Sequence, residues 1–126
     1  MKIFIGNETR HKTPRLPFKK LAEVILPKNY SLSVVFVTPA RMRLLNRRYR
    51  GKDKVTNILS FVLSSENGEV YISEVVAKKE TTLFQRTLKN HLSCLLIHAM
   101  FHLKGLRHGG TMEKSERRIQ KIFKIH

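Results

Sequence analysis

Three histidines in the C-terminal third of the chain have the types and spacing of a metal site. His98 and His102 are four residues apart in an apolar stretch that predicts a helix, so both imidazoles lie on one helix face. Gly105 predicts the end of this helix, because glycine readily takes the left-handed conformation of a C-terminal cap. The chain can then turn and bring His108 back towards the first two. Three neutral imidazoles with an open fourth position suit a catalytic zinc ion.

A weaker interpretation of the same residues stays open. A histidine pair at this spacing often consists of one packed and one solvent-facing ring, and His108 could lie in a basic loop beside Arg107, in contact with solvent or phosphate. A third histidine just past the glycine favours the metal site, since catalytic zinc typically takes three protein ligands. Cys94, one turn before His98, is a candidate fourth ligand, but a small buried hydrophobic residue is the simpler expectation for it.

The composition of the chain limits the classes of protein to which it can belong. A chain of 126 residues with 41% hydrophobic content predicts one domain, residues 1–126, with a core of its own. No apolar run is long enough for a transmembrane helix, and the apolar start of the chain is too short for a secretion signal. A single cysteine excludes an intrachain disulfide and favours a reducing interior. We therefore expect a cytoplasmic protein without a membrane partner.

The charge of the chain is strongly unbalanced. It has 25 Lys and Arg residues against 9 Asp and Glu residues, with a formal net charge of +16. Such a surface repels itself and attracts polyanions, of which nucleic acid is the commonest. A basic cluster follows a helix predicted to begin at Thr38 and Pro39, and its members are Arg43, Arg47, Arg48, Arg50, Lys52 and Lys54. A solubilising surface would explain this cluster, but the overall charge favours a phosphate-binding stripe.

The elements that must position these groups follow from the apolar patterns along the chain. Strands are predicted at residues 2–8, 31–37, 56–63 and 69–73, with a hairpin turn at Asn67 and Gly68. Helices are predicted at residues 17–26, after Thr38, from Glu74 into the histidine helix with a break near residues 81–82, and after Thr111 as N-cap. This order predicts an α+β fold. Its small mixed β-sheet is mostly parallel, has one antiparallel edge strand and is flanked by helices, with the metal cleft between the histidine helix and the sheet.

Two of these helices have an apolar periodicity that assigns their core faces. The helix after Thr38 is expected to turn three apolar residues to the core, and these are Met42, Leu45 and Tyr49. The last helix is expected to bury three more, which are Ile119, Ile122 and Phe123. Both helices would then pack one face against the protein and leave their basic residues to solvent.

Three blocks of the sequence resemble the motifs of one family, in the same order. Residues 98–108 are similar to the signature His-Gly-x-Leu-His-Leu-x-Gly-Tyr-Asp-His. Residues 45–61 resemble a segment Asn-x-x-Tyr-Arg that runs into Thr-Asp/Asn-Val-Leu-Ser-Phe, and residues 68–72 are similar to Gly-Asp-Ile-x-Ile. These are motifs of the YbeY family, bacterial metal-dependent endoribonucleases of rRNA maturation. The resemblance covers roughly residues 34–110.

The resemblance implies a zincin-like metal cleft with one zinc ion per chain on His98, His102 and His108, and a catalytic arginine at Arg50. It implies single-stranded RNA, chiefly rRNA of the ribosome, as substrate, and no DNA. The implied function is a zinc-dependent endoribonuclease, specific for single strands, in 16S rRNA 3′-end maturation and ribosome quality control. Arg50 would stabilise charge on the phosphoryl oxygens. The neighbouring basic residues would bind the strand, and these are Arg47, Lys52 and Lys54.

Some residues depart from the family pattern. Arg107 stands where an acidic residue is usual, and this cation should weaken metal binding and lower the pKa of bound water. Ala99 replaces the usual glycine, and it also occupies the place where a zinc peptidase of the HExxH type has its general base, so proteolysis is not expected. Two other function classes stay open. One is a non-catalytic RNA- or ribosome-binding protein with a structural metal site, and the other is a metallohydrolase with a non-RNA substrate.

Overall fold

The structure, a computed structural model, describes residues 1–105 and 109–126. Within these residues the strands and helices follow one another in the order that the sequence predicts. In chain order the elements are β1 (Lys2–Asn7), α1 (Phe18–Ile25), β2 (Ser31–Phe36), α2 (Pro39–Arg50), β3 (Ile58–Ser64), β4 (Asn67–Ile72), α3 (Glu74–Phe84), α4 (Leu88–Leu103) and α5 (Gly110–Ile122). No helix of the described ranges is long and apolar enough to cross a membrane.

The four strands form one sheet in the order β1-β2-β4-β3. β2 pairs in parallel with β1 on one side and with β4 on the other, so that Val34 lies opposite both Ile5 and Val70. β3 closes the sheet as an antiparallel edge strand beside β4. This confirms the predicted α+β fold with a small, mostly parallel mixed sheet, one antiparallel edge strand and flanking helices.

The sheet separates two hydrophobic clusters because successive strand residues point to opposite faces. On one face Leu32, Val34 and Phe36 of β2 join the larger cluster, which also contains buried residues of α1, α4 and α5. α2 covers the other face, where Met42 and Leu45 form the smaller cluster with two further buried residues. α4 lies within the larger cluster and is therefore held firmly along most of its length.

The hairpin between β3 and β4 turns earlier than the sequence predicts. Its turn is at residues 65–66, because Ser64 pairs with Asn67 and β4 begins there. Gly68 is needed for a different reason. A Cβ at this position would collide with the Tyr30 hydroxyl and lie 2.9 Å from a methyl of Leu103. Glycine therefore allows β4 to approach α4 closely.

The structure agrees with the predicted start of α2 but differs from the predicted break between α3 and α4 and from the predicted start of α5. Thr38 caps α2 as predicted, since its Oγ1 accepts a hydrogen bond from the Arg41 amide. The break between α3 and α4 falls at residues 85–87 instead of 81–82, where Thr87 caps α4. α5 begins at Gly110 with Gly109 as N-cap, so Thr111 lies inside the helix and the predicted cap is wrong.

Two predicted core residues are exposed instead. Tyr49 is 59% exposed and packs its ring edge-on against Phe61, and Ile122 is 61% exposed. On α2 the buried side chain next to Leu45 is Asn46, whose Nδ2 donates to the Lys54 carbonyl oxygen at 3.0 Å. This hydrogen bond satisfies a buried amide and connects the loop after α2 to the helix.

Candidate active site

A cleft of about 520 Å³ is bounded by the end of α2, by β3 and by the three C-terminal helices. Residues of different helices converge on it because the packing of α3 and α5 against α4 brings their polar faces together. Its polar lining includes Arg50, Glu80, His91, His98, His102 and Glu116. Imidazole, carboxylate and guanidinium groups in one cleft can together bind a metal ion and a phosphate.

His98 is hydrogen-bonded to a carboxylate from another helix. Its Nδ1 lies 2.5 Å from Oε1 of Glu116, and the Glu116 side chain is only 17% exposed. A carboxylate is an acceptor, so it holds the ring proton on Nδ1. In the neutral ring the lone pair then lies on Nε2, which is the nitrogen that a metal would bind.

The sheet orients His102 through a hydroxyl, which can accept a hydrogen bond from Nδ1 or donate one to it. Its Nδ1 lies 2.9 Å from the Ser60 hydroxyl oxygen on β3. The carbonyl oxygen of Ser60 accepts a hydrogen bond of 3.1 Å from Nη2 of Arg50 at the end of α2. Ser60 therefore contacts both a predicted metal ligand and the predicted catalytic arginine. Its hydroxyl contacts His102, and its carbonyl oxygen contacts Arg50.

Arg50 also lies over an aromatic ring, since its Cζ is 5.8 Å from the centroid of Phe61. The planar guanidinium group is thus supported on one side and hydrogen-bonded at one nitrogen. Its remaining donors have the fork geometry that suits phosphate oxygens. The structure therefore places Arg50 in the same cleft as His98 and His102.

The other predicted substrate-binding residues lie outside this cleft. Arg47, Lys52 and Lys54 are exposed and are not part of its lining. One member of the predicted basic stripe is paired, since Arg43 forms a bidentate contact with Asp53 at 2.8 and 3.1 Å. The hydrogen bond from Arg43 lowers the pKa of Asp53, with smaller contributions from the charges of Arg43 and Arg47. Asp53 therefore offsets the charge of Arg43, and the surface of the stripe is less positive than its Lys and Arg residues alone would make it.

The predicted third ligand, His108, and its neighbour Arg107 lie outside the described residues. Among residues 1–105 and 109–126, no three His, Cys, Asp or Glu side chains are grouped to hold a metal ion. Zinc on His98, His102 and His108 therefore stays a prediction. Cys94 lines the cleft and is buried in the larger cluster, and this burial raises the pKa of its thiol.

A second hydrogen-bonded group in the cleft escapes the sequence analysis. Nε2 of His91 lies 3.0 Å from Oε1 of Glu80, and Asn57 Nδ2 donates to both oxygens of that carboxylate at 3.0 and 3.2 Å. His91 is 2% exposed. Its spacing was a usable signal, because His91 precedes His98 by seven residues and two helical turns return to the same face. The sequence does not single out Glu80 or Glu116, because each shares its helix with another acidic residue.

The family described as Endoribonuclease YbeY matches residues 6–124 of the chain. This range is nearly the whole sequence and includes every described residue of the candidate site. The chain belongs to the YbeY endoribonuclease family. The family predicted from the three sequence blocks is therefore confirmed.

Relatives in the YbeY family agree with this assignment. The chain is 33% identical over 116 residues to Endoribonuclease YbeY of Aromatoleum aromaticum. The aligned residues cover 89% of this chain and 75% of the relative. The chain is 29% identical over 117 residues to the Phytoplasma mali protein of the same name, covering 86% of this chain and 76% of the relative. The fold is similar to the solution structure of TM1509 from Thermotoga maritima, with a TM-score of 0.68, 22% identity and coverage of 96% and 89% of the two chains.

Proposed function

We propose that this protein is a zinc-dependent endoribonuclease that cleaves single-stranded RNA in the cleft between β3 and the C-terminal helices. Family membership supports RNA cleavage as the reaction class, and relatives carry the name Endoribonuclease YbeY. The observation that carries the proposal is the convergence of His98, His102 and Arg50 on one cleft, with the Nδ1 of each histidine held by a protein partner.

The donor set fits zinc. Two imidazoles one turn apart on α4, each with its Nδ1 directed to an oxygen atom, would bind the ion through Nε2. We infer that His108 is the third ligand. Bound zinc would supply Lewis acidity towards a water molecule or a phosphoryl oxygen. The carboxylate of Glu116 retains the proton on Nδ1 of His98 and so favours the ring form that a metal needs.

Arg50 is proposed to bind the reacting phosphate. The contacts with the Ser60 carbonyl oxygen and the Phe61 ring restrict its guanidinium group before substrate arrives. A preoriented cation can stabilise negative charge that develops on phosphoryl oxygens without a reorganisation cost at that moment. Outside the cleft, we propose that Arg47, Lys52 and Lys54 contact the backbone of the same strand, because they are exposed in the last turn of α2, which carries Arg50, and in the loop after it.

The biological substrate is proposed to be rRNA of the ribosome, with 16S rRNA 3′-end maturation and ribosome quality control as the process and the cytoplasm as the location. The net charge of +16 supports a large polyanionic partner. The single cysteine, buried among apolar residues, suits a reducing compartment.

The test is zinc content and cleavage of a labelled single-stranded RNA by the wild type and by His98→Ala. We expect about one zinc ion per wild-type chain, and loss of both zinc and cleavage in the variant with most RNA binding retained. His11→Ala is the matched control, since it removes an exposed histidine that does not line the cleft. RNA binding without cleavage by zinc-loaded wild type would contradict the proposal and would favour a non-catalytic RNA-binding protein.

A further inference from the structure

Phe84 is a large aromatic side chain that lines the cleft and remains 51% exposed. It is the last residue of α3. A single exposed apolar side chain is common on protein surfaces and implies no function by itself. Phe84 differs from such residues because it lies in a polar cleft and because its ring is held from behind by a buried, hydrogen-bonded side chain.

That side chain is His91 of α4. The two rings are stacked, with centroids 5.2 Å apart and planes inclined by 21°. His91 is in turn bonded to Glu80, and Glu80 accepts hydrogen bonds from Asn57 in the loop before β3. The position of the Phe84 ring is therefore set by α3, by α4 and by the loop that leads to β3. A ring positioned in advance loses little conformational freedom when a ligand stacks on it.

A cation lies over the ring. The guanidinium carbon of Arg86 lies 5.6 Å from the centroid of Phe84, and Arg86 lines the same cleft. Aromatic rings and guanidinium planes are the two kinds of surface on which proteins stack the unpaired bases of RNA. A base can stack on this guanidinium plane or take its place on the ring, and the arginine then provides charge for the adjoining phosphate.

The distance to the candidate metal site suits a neighbouring nucleotide. His91 precedes His98 by seven residues on the same helix, which is about 10 Å along the axis. The two groups of residues share one continuous cleft. A strand whose phosphate lies beside Arg50 and the α4 histidines could therefore place a base close to Phe84.

We propose that Phe84, together with the Arg86 guanidinium over its ring, is a stacking site for one unpaired base near the scissile phosphodiester. This inference rests on the proposed ribonuclease function and deepens it, because a base held in a duplex could not stack on the ring. The site selects single-stranded over double-stranded RNA while tolerating different bases, since every base has a π-face.

The experiment measures binding of a short phosphorothioate-linked single-stranded RNA, which resists cleavage, to the full-length protein. 2-Aminopurine is placed at each position in turn, and its fluorescence reports stacking. Phe84→Leu keeps an apolar side chain but removes the π-face, and we expect about ten-fold weaker binding and loss of the fluorescence change at one position. Phe84→Tyr should retain both. Leu83→Ala is the matched control, because Leu83 is 79% exposed on the same helix and does not line the cleft.

An abasic nucleotide at the responding position completes a double-mutant cycle. It should weaken binding to the wild type about ten-fold and leave binding to Phe84→Leu nearly unchanged. Equal losses for Phe84→Leu and Leu83→Ala, or an abasic penalty that is the same in both proteins, would overturn the stacking site. These readouts need no cleavage, so an inactive wild type would contradict the proposed function without affecting this result.

Discussion

The hydrogen bond between Glu116 and His98 is the contact that most directly prepares the candidate metal site. A carboxylate behind a ligating histidine fixes its tautomer and raises its basicity. We predict that Glu116→Ala lowers zinc affinity about 10- to 100-fold, because the Nδ1 proton of His98 loses its acceptor at 2.5 Å. Competition between the protein and a zinc-binding dye measures this change.

Glu113→Ala is the control for charge. It removes the same charge from an exposed position one turn earlier on α5. If zinc affinity falls equally in the two variants, the effect comes from net charge and the role assigned to the Glu116 hydrogen bond is wrong. If only Glu116→Ala is affected, the effect belongs to the contact with His98.

Single residues of the site differ in how far the sequence could predict them. His98 and His102 were predictable from their i, i+4 spacing, and Arg50 from a motif of the YbeY family. Glu116 and Ser60 were not, because each reaches its histidine only through the packing of α5 or β3 against α4. Such partners depend on tertiary structure, and spacing along the chain carries no information about them.

At the scale of elements, β4 packs closely against the last residue of the histidine helix, Leu103. A Cβ on Gly68 would meet the Tyr30 hydroxyl and Leu103, the residue after His102. We predict that Gly68→Ala lowers the free energy of unfolding by about 1–3 kcal/mol through overpacking. Urea unfolding followed by circular dichroism measures this loss.

Gly110→Ala is the matched glycine substitution. Gly110 has no heavy atom within 4 Å of an added Cβ, and it starts α5. Alanine is a better helix former, so this variant should be as stable as the wild type or slightly more stable. Equal destabilisation by both substitutions would show that the close contact at β4 is not the cause.

Elements were predicted better than their boundaries. The order and types of the strands and helices follow from apolar periodicity, which reflects the two faces of the sheet and the buried side of each helix. The break before α4 was misplaced because a pair of threonines lowers helix propensity only weakly, and tertiary packing outweighs it. The chain breaks instead where Gln85 takes a left-handed conformation, with φ of 51°, and Thr87 caps the next helix.

At the scale of the whole molecule, the excess positive charge should make RNA binding strongly dependent on salt. Each phosphate that a protein neutralises releases counterions, which gives a slope of roughly 0.7 per phosphate in a plot of log affinity against log salt for single strands. The question is whether all 25 basic residues contribute through the net charge or whether those near Arg50 contact the strand directly.

We predict that the triple variant Arg47→Ala, Lys52→Ala, Lys54→Ala reduces this slope by about two units, since three phosphate contacts are lost. The control is Lys19→Ala, Lys20→Ala, Lys28→Ala, which removes the same charge from exposed positions at α1 and the turn after it. The control lowers the long-range attraction between protein and RNA but removes no phosphate contact. The slope of log affinity against log salt should therefore change much less than in the first variant. Fluorescence anisotropy of a labelled single-stranded RNA at several salt concentrations measures both slopes. Equal slopes in the two variants would mean that net charge alone holds the RNA and that the strand does not follow the end of α2.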